Sequence, residues 1–132
     1  MQGNVFQKGT LLIPTGGSQH LHIVMNDPLH CPVHGHVVVL LVNISTVYPE
    51  KYSDQTCILA PGSHPFILND SWIVYRQAVV SRVSGIEDGI LARTIHPRLP
   101  ISSPDFDRVR QGFDASQDVP IKIKRFLRTY GL

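Results

Sequence analysis

The sequence predicts a mainly β fold: a small twisted β-barrel or half-barrel of short strands, capped by one late α-helix. Two observations carry this. Short apolar, β-branched runs, each closed by a Gly, Pro or Asn-Asp signal, fill the first two thirds of the chain. One later stretch, Ser103 to Ala115, instead sets apolar residues at helical spacing behind a serine and a proline.

The elements follow in order. Thr10-Leu11-Leu12-Ile13-Pro14 is a short strand behind Gly9, and Thr15-Gly16-Gly17-Ser18 is a loop by composition. In His20 to Met25, the apolar Leu21, Ile23 and Met25 alternate with His20, His22 and Val24, and Asn26-Asp27-Pro28 ends the run. Residues 26–36 hold two prolines and a glycine and read as a loop. His36 to Ser45, HVVVLLVNIS, is β-branched and apolar on both faces, as a central buried strand must be. A polar loop precedes the short strand Thr56 to Ala60, and Ser71 to Val83 reads as one further long strand carrying Arg76. Residues 86–100 are mixed. The helix is expected over about 104–115, with Ser103 as N-cap, Pro104 in the first turn, and Phe106, Val109 and Phe113 as its apolar stripe. Residues 119–132, VPIKIKRFLRTYGL, fit either a strand or a short basic helix.

Composition bounds the function. A chain of 132 residues, 42% hydrophobic and 17% charged, is one folded domain with one modest core. No apolar run reaches the roughly 18 residues of a spanning helix. The opening MQGNVFQKGT lacks the basic-then-apolar pattern of a secretory signal. Cys31 and Cys57 are too few for a disulfide framework, so a reducing cytoplasm is expected. The net charge of +2 is uneven: residues 1–75 sum to −2 and residues 76–132 to +4. The tail from Gln117 carries Lys122, Lys124, Arg125 and Arg128 against Asp118 alone. Such a tail suits a polyanion or an acidic partner, or simply keeps a surface solvated.

Three chemistries compete for the histidines. Metal is one: HLH and HGH each put two imidazoles on one strand face, about 6.5–7 Å apart. Paired strands could then gather His20, His22, His34 and His36 around zinc, although neither a helical histidine pair nor paired CxxC supports it. Nucleophilic serine catalysis has no GxSxG or SxxK to stand on. Metal-independent ribonucleolysis needs a base for the ribose 2′-hydroxyl, a cation for the phosphate and an acid for the leaving oxygen. Histidine and arginine supply these types, and His20, His22, Asn43, Ser45, Thr46, His64 and Arg76 are candidates.

Four segments, in order, carry a family resemblance. They are Gly9 to Ile13, His22 to Asp27, Leu41 to Thr46, and Asn69 to Gln77 with Asp70, Ser71 and Gln77 in step. Their succession, followed by the helix at 103–113, resembles the MazF/PemK/Kid family of toxin endoribonucleases over about residues 8–115. The resemblance implies an SH3-like barrel of five to seven strands spanning residues 1–116, with 117–132 as a basic extension. It also implies a homodimer, cleavage of single-stranded RNA without cofactor, and neutralisation by an antitoxin. At the place of the family's catalytic arginine stands Gln19 or His20; Ser45 stands for its threonine, and Arg76 for the acid before its glutamine. On that basis His20, His22, Ser45 and Arg76 are the expected catalytic residues. Gln19, Asn43, Thr46, His64, Gln77, Lys122, Lys124 and Arg125 are the expected RNA contacts. A non-catalytic RNA- or protein-binding barrel and a zinc-binding protein are the alternatives.

Overall fold

The computed structural model describes residues 5–33 and 35–132. Its strands are β1 (Thr10–Thr15), β2 (Ser18–Val24), β3 (Leu29–Cys31), β4 (His36–Thr46), β5 (Ile58–Leu59), β6 (Ser71–Ile73), β7 (Val79–Arg82) and β8 (His96–Arg98). Three α-helices accompany them: α1 (Val83–Leu91), α2 (Ser103–Ala115) and α3 (Ile121–Thr129). The mainly β class is thus observed. Among the described residues the strands form one antiparallel sheet in the order β5-β6-β4-β2-β1-β8. That sheet is open, with β5 and β8 at its two ends, so its strands do not close into a barrel. No helix among the described residues is long and apolar enough to cross a membrane.

β4 organises everything else. One edge pairs first with β3 (Val38↔Leu29) and then with β2 (Leu41↔Val24). The other edge pairs with β7 (Val38↔Arg82 to Leu41↔Val79) and then with β6 (Ile44↔Ile73 to Thr46↔Ser71). A strand with neighbours on both edges and cover on both faces can carry apolar residues throughout, as Val38 to Val42 do, all buried. The β1–β2 hairpin turns at Gly16 and Gly17, whose φ of 57° and 86° suit a two-residue type I′ turn.

The alternation of side chains sorts the sheet into two faces. On one, Leu12, Leu21, Ile23, Val38, Leu40, Val42 and Ile44 meet α2 and α3 in the main core. On the other, Leu11, Val24, Val39 and Leu41 meet Val83 and Ile86 of α1 in a second, smaller cluster. α1 was not legible in the sequence. Two glycines and no capping side chain make it a weak helix by propensity. It forms because Val83, Ile86 and Ile90, at i, i+3 and i+7, cover that second cluster. The basic tail resolves as helix α3, with Ile123, Phe126 and Leu127 buried in the main core. α2 begins one residue earlier than expected: the Ser102 hydroxyl, not that of Ser103, accepts from the Asp105 N–H. Residues 29–31, expected in a loop, pair with β4 as β3.

The long strand expected over Ser71–Val83 is broken. Between the pairs Ile44↔Ile73 and Leu41↔Val79, β4 advances three residues and its partner six. The surplus is spent in a 3-10 turn at Tyr75–Gln77, so Arg76 sits on a turn rather than a strand. Tyr75 anchors that turn. Its ring is fully buried, stands edge-on to Phe113 at 4.8 Å, and its hydroxyl donates to the Val109 carbonyl at 2.8 Å. Gly112 makes room for it: a Cβ there would lie 1.7 Å from the Tyr75 oxygen.

Gly112→Ala therefore tests this anchor. Helix propensity alone favours alanine by up to about 1 kcal/mol. The clash and the lost hydrogen bond outweigh it, and a net loss of about 2–3 kcal/mol is expected in urea unfolding. Tyr75→Phe, which keeps the ring, costs about 1 kcal/mol. A Gly112→Ala protein as stable as the parent would contradict the packing.

Candidate functional site

The face of the sheet that α1 covers is covered only in part. Val24 and Leu41 lie in the cluster beneath it. Farther along the same face the side chains turn polar: His22 and His20 on β2, Asn43 and Ser45 on β4. His22 and Asn43 are direct cross-strand partners, and the same register sets His20 opposite Ser45. This answers why a strand should carry two histidines on one face. Their face leaves the apolar cluster and opens into a cleft of about 620 Å³.

The 3-10 turn supplies the opposite wall. Arg76 and Gln77 both line the cleft, as do Trp72 and Thr15. The Arg76 guanidinium carbon stands 5.3 Å from the Tyr52 ring centre and 5.6 Å from that of Trp72. The two rings meet edge-to-face at 5.8 Å. Arginine over two aromatic faces is held in place by the rings, and among the described residues no carboxylate forms an ion pair with it. Tyr52 in turn donates to Asp118 Oδ2 at 2.6 Å, and this hydrogen bond pushes the phenol pKa up. The Tyr52 loop is tied down again by Asp54, which accepts from the Ser116 hydroxyl at 2.5 Å and from the Thr56 N–H at 2.9 Å. Burial alone would raise the Asp54 carboxyl, but these hydrogen bonds outweigh it and hold its pKa below the usual value.

The histidines differ. His22 is 8% exposed, and its Nδ1 donates to the His20 carbonyl at 2.9 Å. That bond fixes the neutral tautomer with the proton on Nδ1, leaving Nε2 with its lone pair. Burial drives the His22 pKa below its ordinary value, against the opposing pull of that backbone hydrogen bond and reinforced by the neighbouring His20. His22 is thus a neutral imidazole, a base by state and by tautomer. His20 is half-exposed at the rim, with Nδ1 against the Thr15 hydroxyl.

Not every expected residue is here. Six meet in the cleft: His20, His22, Asn43, Ser45, Arg76 and Gln77. Gln19 and Thr46 line an adjoining cleft, which shares His20 and Ser45 with the first. His64 does not join them. It is buried, its Nδ1 accepts from the Phe66 N–H at 3.0 Å, and its Nε2 donates to the Leu99 carbonyl at 2.7 Å. Both nitrogens are spent on the backbone, so His64 is a structural histidine and not an RNA contact. Lys122, Lys124 and Arg125 are exposed on α3 and do not line the cleft. The four-histidine zinc site is not assembled either. His36 pairs with Cys31, whereas the β4 partner of His22 is Asn43, seven residues and roughly 23 Å of strand away. His34 lies outside the described residues. Among the described residues no three His, Cys, Asp or Glu side chains are grouped to hold a metal. Sequence reasoning missed Thr15 as a wall residue and Tyr52 as the ring behind Arg76. Nothing near them in sequence marks them, because the loop links and the hairpin register bring them in.

No family model, no curated protein and no solved structure matches the chain.

The His22 environment makes a pH prediction. Its folded-state pKa lies below the unfolded value of 6.5, so the unfolded chain binds more protons in the window between them. The stability from burying neutral His22 is fully present above pH 6.5 and is lost as pH falls through the folded pKa. Urea midpoints measured from pH 7.5 to pH 5 should therefore fall less steeply in His22→Gln than in the parent. Identical slopes would show that His22 carries no shift.

Proposed function

We propose that this protein is a metal-independent endoribonuclease acting on single-stranded RNA, of the kind found among toxins of toxin–antitoxin systems. The observation that carries the reading is the convergence, in one open cleft, of a neutral imidazole with a bare Nε2, a second histidine at the rim and an arginine. Those are the parts an internal phosphoryl transfer requires. The His22 Nε2 takes the proton of a ribose 2′-hydroxyl. The 2′-oxygen forms a bond to the adjacent phosphorus, and the bond from phosphorus to the 5′-oxygen breaks. His20, as general acid, gives a proton to that leaving oxygen, and the products are a 2′,3′-cyclic phosphate and a 5′-hydroxyl. Arg76 faces the charge that builds on the phosphorane oxygens. Asn43, Ser45 and Gln77 supply hydrogen bonds to phosphate or ribose.

The sequence resemblance to the MazF/PemK/Kid toxins supports the same reading, along with an SH3-like ancestry for the sheet around β4, a homodimer, a cytoplasmic location and an antitoxin partner. The departure at the start of β2, where Gln19 and His20 replace the family's arginine, moves the cationic role to Arg76 across the cleft. The cations of α3 extend the surface for the strand. Tyr52, which stands against Arg76, is hydrogen-bonded to Asp118 just before α3, which ties the start of the helix to the arginine.

Incubation with a long single-stranded RNA in excess chelator tests the proposal. Discrete cuts ending in cyclic phosphate are expected, with His22→Ala and Arg76→Ala each slowing cleavage by about 10²-fold or more. Full activity in either variant would remove it from the mechanism. RNA that is bound but left intact would make the cleft a non-catalytic single-strand site. Binding should weaken with salt, and replacing Lys122, Lys124 and Arg125 together by alanine should flatten the log–log salt slope by about 2. An unchanged slope would take α3 off the RNA path.

A further inference from the structure

The second cleft, of about 320 Å³, lies on the other side of His20 and Ser45 from Arg76 and Trp72. Its character is different. Among the described residues no lysine, arginine or carboxylate lines it; its walls are the rings of Tyr48 and Phe66 over the apolar Leu21, Ile44 and Ile67. The two rings are 48% and 46% exposed, a large apolar area for a monomer to leave uncovered beside a polar site. Gln19 and Thr46 edge the cleft, and neither side chain is hydrogen-bonded among the described residues. An amide and a hydroxyl offer both donors and acceptors. At the outer rim the Lys51 ammonium stands 5.4 Å from the Tyr48 ring centre.

We propose that this second cleft is a nucleobase subsite, seating the base next to the phosphate held over His20 and Ser45. This rests on the reading of the first cleft as the place where the RNA backbone is bound. The physical case is one of division. Backbone phosphate needs cations, and those are in the first cleft. A base needs a flat apolar face and a few hydrogen-bonding groups at its edge, and those are in the second. Only an unpaired base can enter, because in a duplex both its faces are stacked. The selection for single strands is therefore built into the second cleft rather than the first. His64 is its positioning residue. With Nδ1 on the Phe66 N–H and Nε2 on the Leu99 carbonyl, it fixes the turn from which the Phe66 ring projects. Lys51 provides for the next phosphate along the strand.

The test uses the full chain and single-stranded 2′-fluoro octanucleotides of each base, which bind but lack the attacking hydroxyl. Tyr48→Ala and Phe66→Ala should each weaken binding by about 5- to 150-fold for the preferred base. Tyr48→Phe should stay within about threefold of the parent, and so should Leu68→Ala, an exposed apolar residue lining neither cleft. The salt slope separates stacking from charge: it should be unchanged in Phe66→Ala and reduced in Arg76→Ala. On a cleavable long RNA, the two aromatic variants should lose base preference on one side of the cut. Cleavage by the parent with affinity and cut pattern unaltered in Tyr48→Ala and Phe66→Ala would overturn the subsite while leaving the ribonuclease reading intact. Binding that depends on both rings without any cleavage would keep the subsite and overturn the ribonuclease. No binding of any octanucleotide by the parent would overturn both.

Discussion

The surplus of three residues between Ile73 and Val79, set against β4, is the constraint on which the cleft depends. A strand cannot absorb extra residues and keep its register, so the excess must leave the sheet. Where it goes is decided by Tyr75. Its buried ring and its hydrogen bond to the Val109 carbonyl pin the start of the 3-10 turn against α2, and Gly112 is the residue that admits it. Burial pushes the phenol pKa far up, so the hydroxyl stays a donor across the accessible pH range. With Tyr75 pinned inward, Arg76 and Gln77 are left outward, on the cleft side. One inward tyrosine thus sets the position of the arginine next to it.

The second organising fact is the unequal cover of the sheet. The main core takes α2 and α3, whereas α1 covers only the cluster around Leu11, Val24, Val39 and Leu41. Beyond it the same face must meet water, and polar residues are the consequence. His22 stands at that border. It is close enough to the apolar cluster to be held neutral and far enough along the strand to reach the opening. Nothing more elaborate than its place on the strand is needed to tune it.

The sequence was legible where one element explained its own residues. The short apolar run at Thr10–Pro14, the alternating run at His20–Met25 and the run apolar on both faces at His36–Ser45 correspond to β1, β2 and β4, and the Ser-Pro start with its Phe106, Val109, Phe113 stripe corresponds to α2. It was not legible where distant partners decide. Val79 to Val83 reads as strand continuing from Trp72, since β propensity cannot reveal a register surplus against β4. Residues 86–100 read as mixed, since the reason for a helix over 83–91 is the apolar cluster formed by four other segments. The same division runs through the site. His20, His22, Asn43 and Ser45 were candidates by residue type and resemblance, and strand period set the two histidines on one face, but the β2–β4 register was needed to bring all four together, just as Phe66 and Leu99 were needed to show that both nitrogens of His64 are spent on the backbone. Tyr52 was invisible because its place against Arg76 is held by Asp118, sixty-six residues away in the chain.

That link has a mechanical meaning. Asp54 on Ser116 and Tyr52 on Asp118 are two stitches, both between the 47–57 loop and the short linker that joins α2 to α3. The loop carries one side of the aromatic clamp on Arg76; the linker is held by Val119 and by the helix that follows it, both sunk in the main core. The loop beside Arg76 is therefore held by a segment made well after the strands that frame the opening. During synthesis β1, β2, β4 and β6 can pair before α3 has emerged, but the two stitches to Ser116 and Asp118 can form only after those residues are made. A nascent chain would carry its histidines long before it carried a finished mouth.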